Sequence, residues 1–204
     1  MLAIVDYGVG NLFSLASSLA AIGEAAVPTG DVSAIRRADK LILPGVGAFG
    51  DAADKLKNSG LFCEVQKAAL QGKPILGICL GMQLLFEKSY EYGTHEGLGL
   101  LRGEIRPVAD VIAPHLKIPH IGWNSLHLCR PSRLFRFIQE GDFVYFVHSY
   151  YAACCEESTT ATTDYSVPLT ACVERDNVFG CQFHPEKSGK VGLAILRAFC
   201  AMEA

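Results

Sequence analysis

The chain has 204 residues, 50% of them hydrophobic, and a formal net charge of −3 at pH 7. That length carries one domain with a real core, and the slightly acidic balance argues against a nucleic-acid binder, which would show a basic excess or stripe. No apolar run is long enough for a transmembrane helix, so no membrane association is expected.

Leu2–Val5 is a short β-rich run. It lacks a charged n-region and meets Asp6 at once, so it reads as a buried first strand and not as a leader. Gly8 and Gly10 mark a turn, and Leu12, Leu15, Leu19 and Ile22 give residues 11–22 helical spacing. Residues 24–27 and Lys40–Leu43 follow as strands, the second stopped by Pro44-Gly45-Val46-Gly47. Residues 52–56 and Leu61–Leu70 read as helix, Ile75–Ile78 as a buried strand and 80–88 as helix. This alternation predicts an α/β fold with an open, mostly parallel central sheet flanked by helices. After Gly93 the pattern changes. Residues 104–106, 117–121, 143–147 and 169–173 are short strands between turn residues, which predicts a smaller antiparallel sheet in the C-terminal half. Residues 178–183 form one more apolar strand running into His184-Pro185-Glu186, and 191–202 make a closing helix. No repeat or linker interrupts the chain, so one domain over 1–204 is expected.

The eight cysteines are scattered, mostly in apolar company, and form no C-x-x-C pair. They read as reduced thiols of a cytoplasmic protein, most of them small core residues, with no zinc or other metal site.

One thiol stands apart. In Gly77-Ile78-Cys79-Leu80-Gly81 a cysteine sits where a strand should end and a helix begin. A nucleophile at such an elbow needs small neighbours, because the chain doubles back on itself. The free N–H groups of the following helix favour a thiolate. A cysteine at a turn is more often structural, and the paired glycines tip the balance toward chemistry. Its base lies far along the chain. His184 and Glu186 follow a strand directly, two residues apart, as an imidazole and the carboxylate that orients it. If the two strands are parallel neighbours, Cys79 and His184 meet at their carboxyl ends. In "LPGVGAFG", Gly45 and Gly47 expose backbone N–H groups suited to an oxyanion hole; no Gly-Lys-Ser/Thr follows, so it is not a P-loop.

"GICLGMQLLF" and "FHPEKS" resemble the class I, triad-type glutamine amidotransferases. With "DYGVGN", "LPGVGAFG", "PHIGWNS", "YFVHSYY" and "QFHPEKSGK", the chain is similar to the glutaminase subunits of imidazole glycerol phosphate synthase within that family. The resemblance implies glutamine hydrolysis to glutamate and ammonia. Cys79 would be the nucleophile, His184 the general base and acid, and Glu186 its orienting carboxylate. It assigns the oxyanion hole to the backbone of Val46, Gly47 and Leu80. Gln83 would bind substrate, with Glu91 at its amino group and Ser149 and Tyr150 at its backbone end. No cofactor is implied. The implied partner is a (β/α)8-barrel cyclase of histidine biosynthesis, forming a heterodimer, with Asn11, Trp123 and Lys187 matching interface positions. Glutaminase subunits of anthranilate or aminodeoxychorismate synthase are the alternative. They would share the triad and lack "DYGVGN" and "GWN". A non-catalytic α/β binding protein would not need the intact triad, and a hydrolase of other γ-glutamyl compounds would act without a partner.

Overall fold

Short apolar runs bounded by turn residues form the strands of this protein, and stretches with apolar residues every third or fourth position form its helices. The computed structural model describes residues 1–203. Its first half runs β1 (Leu2–Val5), α1 (Leu12–Ala21), β2 (Ala26–Thr29), α2 (Val32–Arg37), β3 (Lys40–Leu43), α3 (Phe49–Asn58), α4 (Leu61–Leu70), β4 (Ile75–Ile78) and α5 (Leu80–Leu84). Next come β5 (Phe86–Ser89), β6 (His95–Glu96), β7 (Leu101–Pro107), β8 (His120–Ser125), β9 (His127–Leu128) and β10 (Phe143–His148). The chain closes with β11 (Tyr150–Ala153), β12 (Thr159–Asp164), β13 (Pro168–Arg175), β14 (Val178–Cys181) and α6 (Gly189–Cys200).

The main sheet has eight strands in the order β2-β1-β3-β4-β14-β13-β12-β9. From β2 to β14 neighbours are parallel, and β13, β12 and β9 extend the sheet antiparallel. Strands β1, β4 and β14 are buried at every residue, as strands covered on both faces must be. Alternate side chains feed opposite cores. Ala3, Val5, Leu41 and Leu43 pack with Leu56 and Val65 of α3 and α4. Leu2, Ile4, Ile42 and Leu76 pack with Leu15 and Leu19 of α1 and with Ile195 and Phe199 of α6.

Two small sheets sit beside this frame: β10-β8, and β11-β7-β5-β6. The strands expected over 104–106, 117–121 and 143–147 thus divide between these two sheets, the one expected over 169–173 is β13 of the main sheet, and β5 pairs with β7 in parallel. The helix expected over 80–88 ends at Leu84, and Phe86–Ser89 is strand β5. Phe86 and Ser89 are buried while Glu87 is exposed, and pairing with β7 and β6 overrides helical propensity there. The second strand starts at Ala26, two residues later than expected, and carries Pro28, tolerated because β2 is an edge strand. The strand expected over 117–121 begins only at His120, and that over 178–183 stops at Cys181. Helix α3 starts earlier than expected, at Phe49.

Candidate active site

The β4–α5 elbow places Cys79 at φ 54° and ψ −113°, a left-handed conformation that non-glycine residues seldom adopt. The backbone around it is held on both sides. Cys79 N–H donates to Cys181 C=O at 2.8 Å, and Cys79 C=O accepts from Gln83 N–H at 3.1 Å. The flanking glycines answer to close approach. A Cβ on Gly81 would lie 1.8 Å from the Leu43 carbonyl oxygen, and one on Gly77 would lie 2.7 Å from Gly81 O and Met82 Cα. A Cβ on Gly45 would lie 2.8 Å from Gly81 N. The elbow therefore locks against the end of β3 and the loop that follows it.

Strand β14 lies parallel beside β4, with Cys181 opposite Ile78, so the chain leaving β14 meets the elbow. His184 N–H donates to Tyr145 C=O at 3.0 Å, which ties it to β10. Its Nδ1 stands 2.8 Å from Glu186 Oε1 in a buried pair. A carboxylate only accepts, so Nδ1 carries the proton and Nε2 is left for the sulfur. Burial pulls the His184 pKa down, but hydrogen bonds to Cys79 and Glu186 outweigh it and hold the imidazole at about 9.

A cleft of about 410 Å³ opens over this pair, lined by Val46, Gly47, Cys79, Leu80, Gln83, Glu91, Ser149, Tyr150, His184 and Lys187 among others. Every residue expected at the oxyanion hole and the substrate wall thus faces one cavity. The N–H groups of Val46, Gly47 and Leu80 donate to no protein acceptor among the described residues. Gly47 has φ +95°, and Tyr7 anchors the loop by donating its hydroxyl to Pro44 C=O at 2.7 Å. Burial, with the Cys79 charge nearby, pushes the Tyr7 hydroxyl well above its ordinary pKa, so it stays a donor. Gln83 is buried and gives its side-chain NH₂ to Tyr150 C=O at 3.1 Å and to Gln182 Oε1 at 3.0 Å. Glu91 accepts the Phe49 N–H at 2.6 Å, capping α3, whose Ala48 provides no side-chain cap. Burial raises the Glu91 carboxyl pKa.

The expected interface residues separate. Trp123 is 55% exposed and packs edge-to-face on Tyr145 at 6.1 Å. Lys187 sits 6.0 Å over the same Tyr145 ring and also borders the cleft. Asn11 is the N-cap of α1, accepting from Ser14 N–H at 3.1 Å, and borders a small void shared with His184 and Glu186. All eight thiols are free; Cys63, Cys129 and Cys154 are exposed and five are buried. Burial pushes Cys155, Cys172, Cys181 and Cys200 up, which keeps them from competing as nucleophiles.

Sequence reasoning missed Tyr7, Gln182 and His148. Gln182 is fully buried, with its Nε2 3.7 Å from Cys79 Sγ. His148 is buried in the cleft wall, its Nδ1 2.8 Å from Tyr150 C=O and its Nε2 3.0 Å from His120 Nδ1. All three lay inside quoted motifs, but only their neighbours in the fold reveal what they touch.

A family profile described as glutamine amidotransferase class-I matches residues 3–202. The chain is 49% identical over 197 residues to the imidazole glycerol phosphate synthase subunit HisH of Lactococcus lactis subsp. lactis, covering 96% of each chain. It is 49% identical over 199 residues to the HisH subunit of Aquifex aeolicus, covering 96% of this chain and 94% of that one. Among solved structures, a glutamine amidotransferase superposes with a TM-score of 0.75 at 17% identity, covering 98% of this chain and 99% of that one. The PurLQS structure from Thermotoga maritima superposes with a TM-score of 0.74 at 21% identity, covering 98% of this chain and 96% of that one.

Proposed function

The chain belongs to the class-I glutamine amidotransferases, and from that premise we propose that it is the glutaminase subunit of an imidazole glycerol phosphate synthase of histidine biosynthesis. It hydrolyses glutamine to glutamate and ammonia. The observation that carries the reading is the Cys79 thiol at the elbow, sharing one cleft with a His184 that is itself fixed by Glu186. A continuous eight-strand sheet running through both halves supports one amidotransferase unit over 1–204.

Cys79 Sγ attacks the side-chain amide carbon of glutamine, and the carbonyl π pair moves onto oxygen. The N–H groups of Val46, Gly47 and Leu80 receive that oxyanion. The imidazolium of His184 gives its proton to the departing nitrogen as the C–N bond breaks, leaving a γ-glutamyl thioester and ammonia. Water then adds to the thioester with His184 as base, and the C–S bond breaks to return the thiolate. Glu186 holds the imidazole in the tautomer that both steps need. Glu91 meets the substrate's ammonium, and Gln83, Ser149 and Tyr150 line the remainder of its path. No step calls for a cofactor.

The HisH relatives are named as subunits. The implied partner is a (β/α)8-barrel cyclase that takes up the ammonia in a cytoplasmic heterodimer. Trp123 and Lys187 both pack on Tyr145, Lys187 also borders the cleft, and the group suits a docking face. Among the described residues no helix is long and apolar enough to cross a membrane.

The test uses Cys79→Ala with a candidate cyclase. Glutamine-dependent synthesis should fall to background while ammonium salts still support synthesis. Glutamate release by Cys79→Ala would sink the mechanism, and full glutamine-dependent synthesis without this chain would sink the partnership.

A further inference from the structure

We propose that Gln182 is a further catalytic residue, a fixed N–H donor to the Cys79 sulfur, and that Gln83 and the Tyr150 carbonyl orient it. The proposal rests on the glutaminase reading for its consequence in catalysis, and on geometry alone for the donor itself.

A backbone carbonyl only accepts hydrogen bonds. The Gln83 amide atom that lies 3.1 Å from Tyr150 O is therefore its NH₂ group. That group's second hydrogen points at the Gln182 amide, 3.0 Å away, so the Gln182 atom there is the oxygen. The Gln182 NH₂ is then left facing Cys79 Sγ at 3.7 Å. One carbonyl thus sets the polarity of two side-chain amides and delivers a donor to the thiol. Its own position is secured from the other side by His148 Nδ1 at 2.8 Å. Gln182 is fully buried and Gln83 is 5% exposed, so water does not compete for these bonds and neither amide can turn without stranding a buried polar group.

A donor at this place acts twice. Before attack it favours the sulfur with its full charge. In deacylation the C–S bond breaks, the electron pair returns to sulfur, and the Gln182 N–H meets it there.

The experiment measures iodoacetamide alkylation of Cys79 against pH, with the modified peptide resolved by mass spectrometry from the other seven cysteines. Gln182→Leu and Gln182→Glu should each slow Cys79 alkylation at neutral pH on the order of 10-fold, and Glu more than Leu, because a carboxylate repels the thiolate. The half-maximal pH should rise accordingly, while Cys63 and Cys129 react unchanged. A folded Gln182→Leu that alkylates like the unmodified protein at every pH would overturn the proposal. Should both variants fail to fold, the unmodified protein decides. The Gln182 side-chain N–H resonances should move with the pH of Cys79 alkylation, and no movement overturns the assignment. This readout requires no glutamine, so its failure is distinct from loss of the glutaminase reading, which Cys79→Ala tests.

Discussion

His184 is held against its own environment. Burial alone would strip its charge, yet the sulfur and Glu186 keep its pKa at about 9, above the value of about 6.5 for a free imidazole. A raised folded-state pKa stabilises the fold fully below the unfolded value and loses that contribution as pH rises through the folded one. The melting temperature should therefore drop between pH 6.5 and 9, and should drop less in Glu186→Gln, which lacks one of the two supporting partners. Calorimetry at the two pH values checks this. The same variant should lose on the order of 10³-fold in glutamine turnover, because an amide no longer fixes the tautomer. Turnover retained within a few-fold would remove Glu186 from the triad. The meeting of Cys79, His184 and Glu186 was legible in the sequence because it follows from residue type and spacing at the ends of two strands. Gln182 was not: nothing in "GCQFHPE" says that this amide lies against the sulfur of a neighbouring strand. Asn11, read as an interface residue, also caps α1, which only the structure reveals.

Elements make the site by interlocking. The first turn of α5 fits only because Gly77 and Gly81 carry no side chain, and the loop after β3 fits only because Gly45 carries none. Gly81→Ala would drive a methyl into the Leu43 carbonyl. It should destabilise the protein by about 3 kcal/mol and lower the melting temperature by roughly 10 °C. It should also reduce turnover, since Cys79 and the oxyanion loop move together. A variant with unchanged melting and turnover would refute the close approach. The sequence announced the glycines but not the end of α5. Residues 80–88 carry a plausible helical stripe, and only pairing with β7, Leu101–Pro107, reveals Phe86–Ser89 as a strand. Helix α3 likewise starts at Phe49 because Glu91, distant in the chain, caps it.

For the whole molecule, sheet order is what turns two distant motifs into one site. Strands β4 and β14 are parallel neighbours, as the elbow and its base require. Alternation of strands and helices pointed to the parallel frame. The small sheets and the far edge of the main one were harder to read because strands such as β6 and β9 have two residues each and take their form from partners. The surface follows the same geometry. Trp123 packs on Tyr145, and Tyr145 C=O accepts the His184 N–H, so the proposed docking face and the proposed base both lean on β10. Trp123→Ala should weaken cyclase binding on the order of 10-fold or more, and titration calorimetry reads it. An unchanged affinity would place the interface elsewhere.

The adjacency of β4 and β14 also gives the protein a built-in order of maturation. A ribosome releases the thiol well before the strand that carries its base, and pairing between such remote segments forms late in folding. A half-made chain therefore presents a cysteine without an imidazole. On the proposed mechanism glutamine is safe from it until the last strand slots in beside the fourth, so completing the sheet and bringing the imidazole to the thiol are the same event.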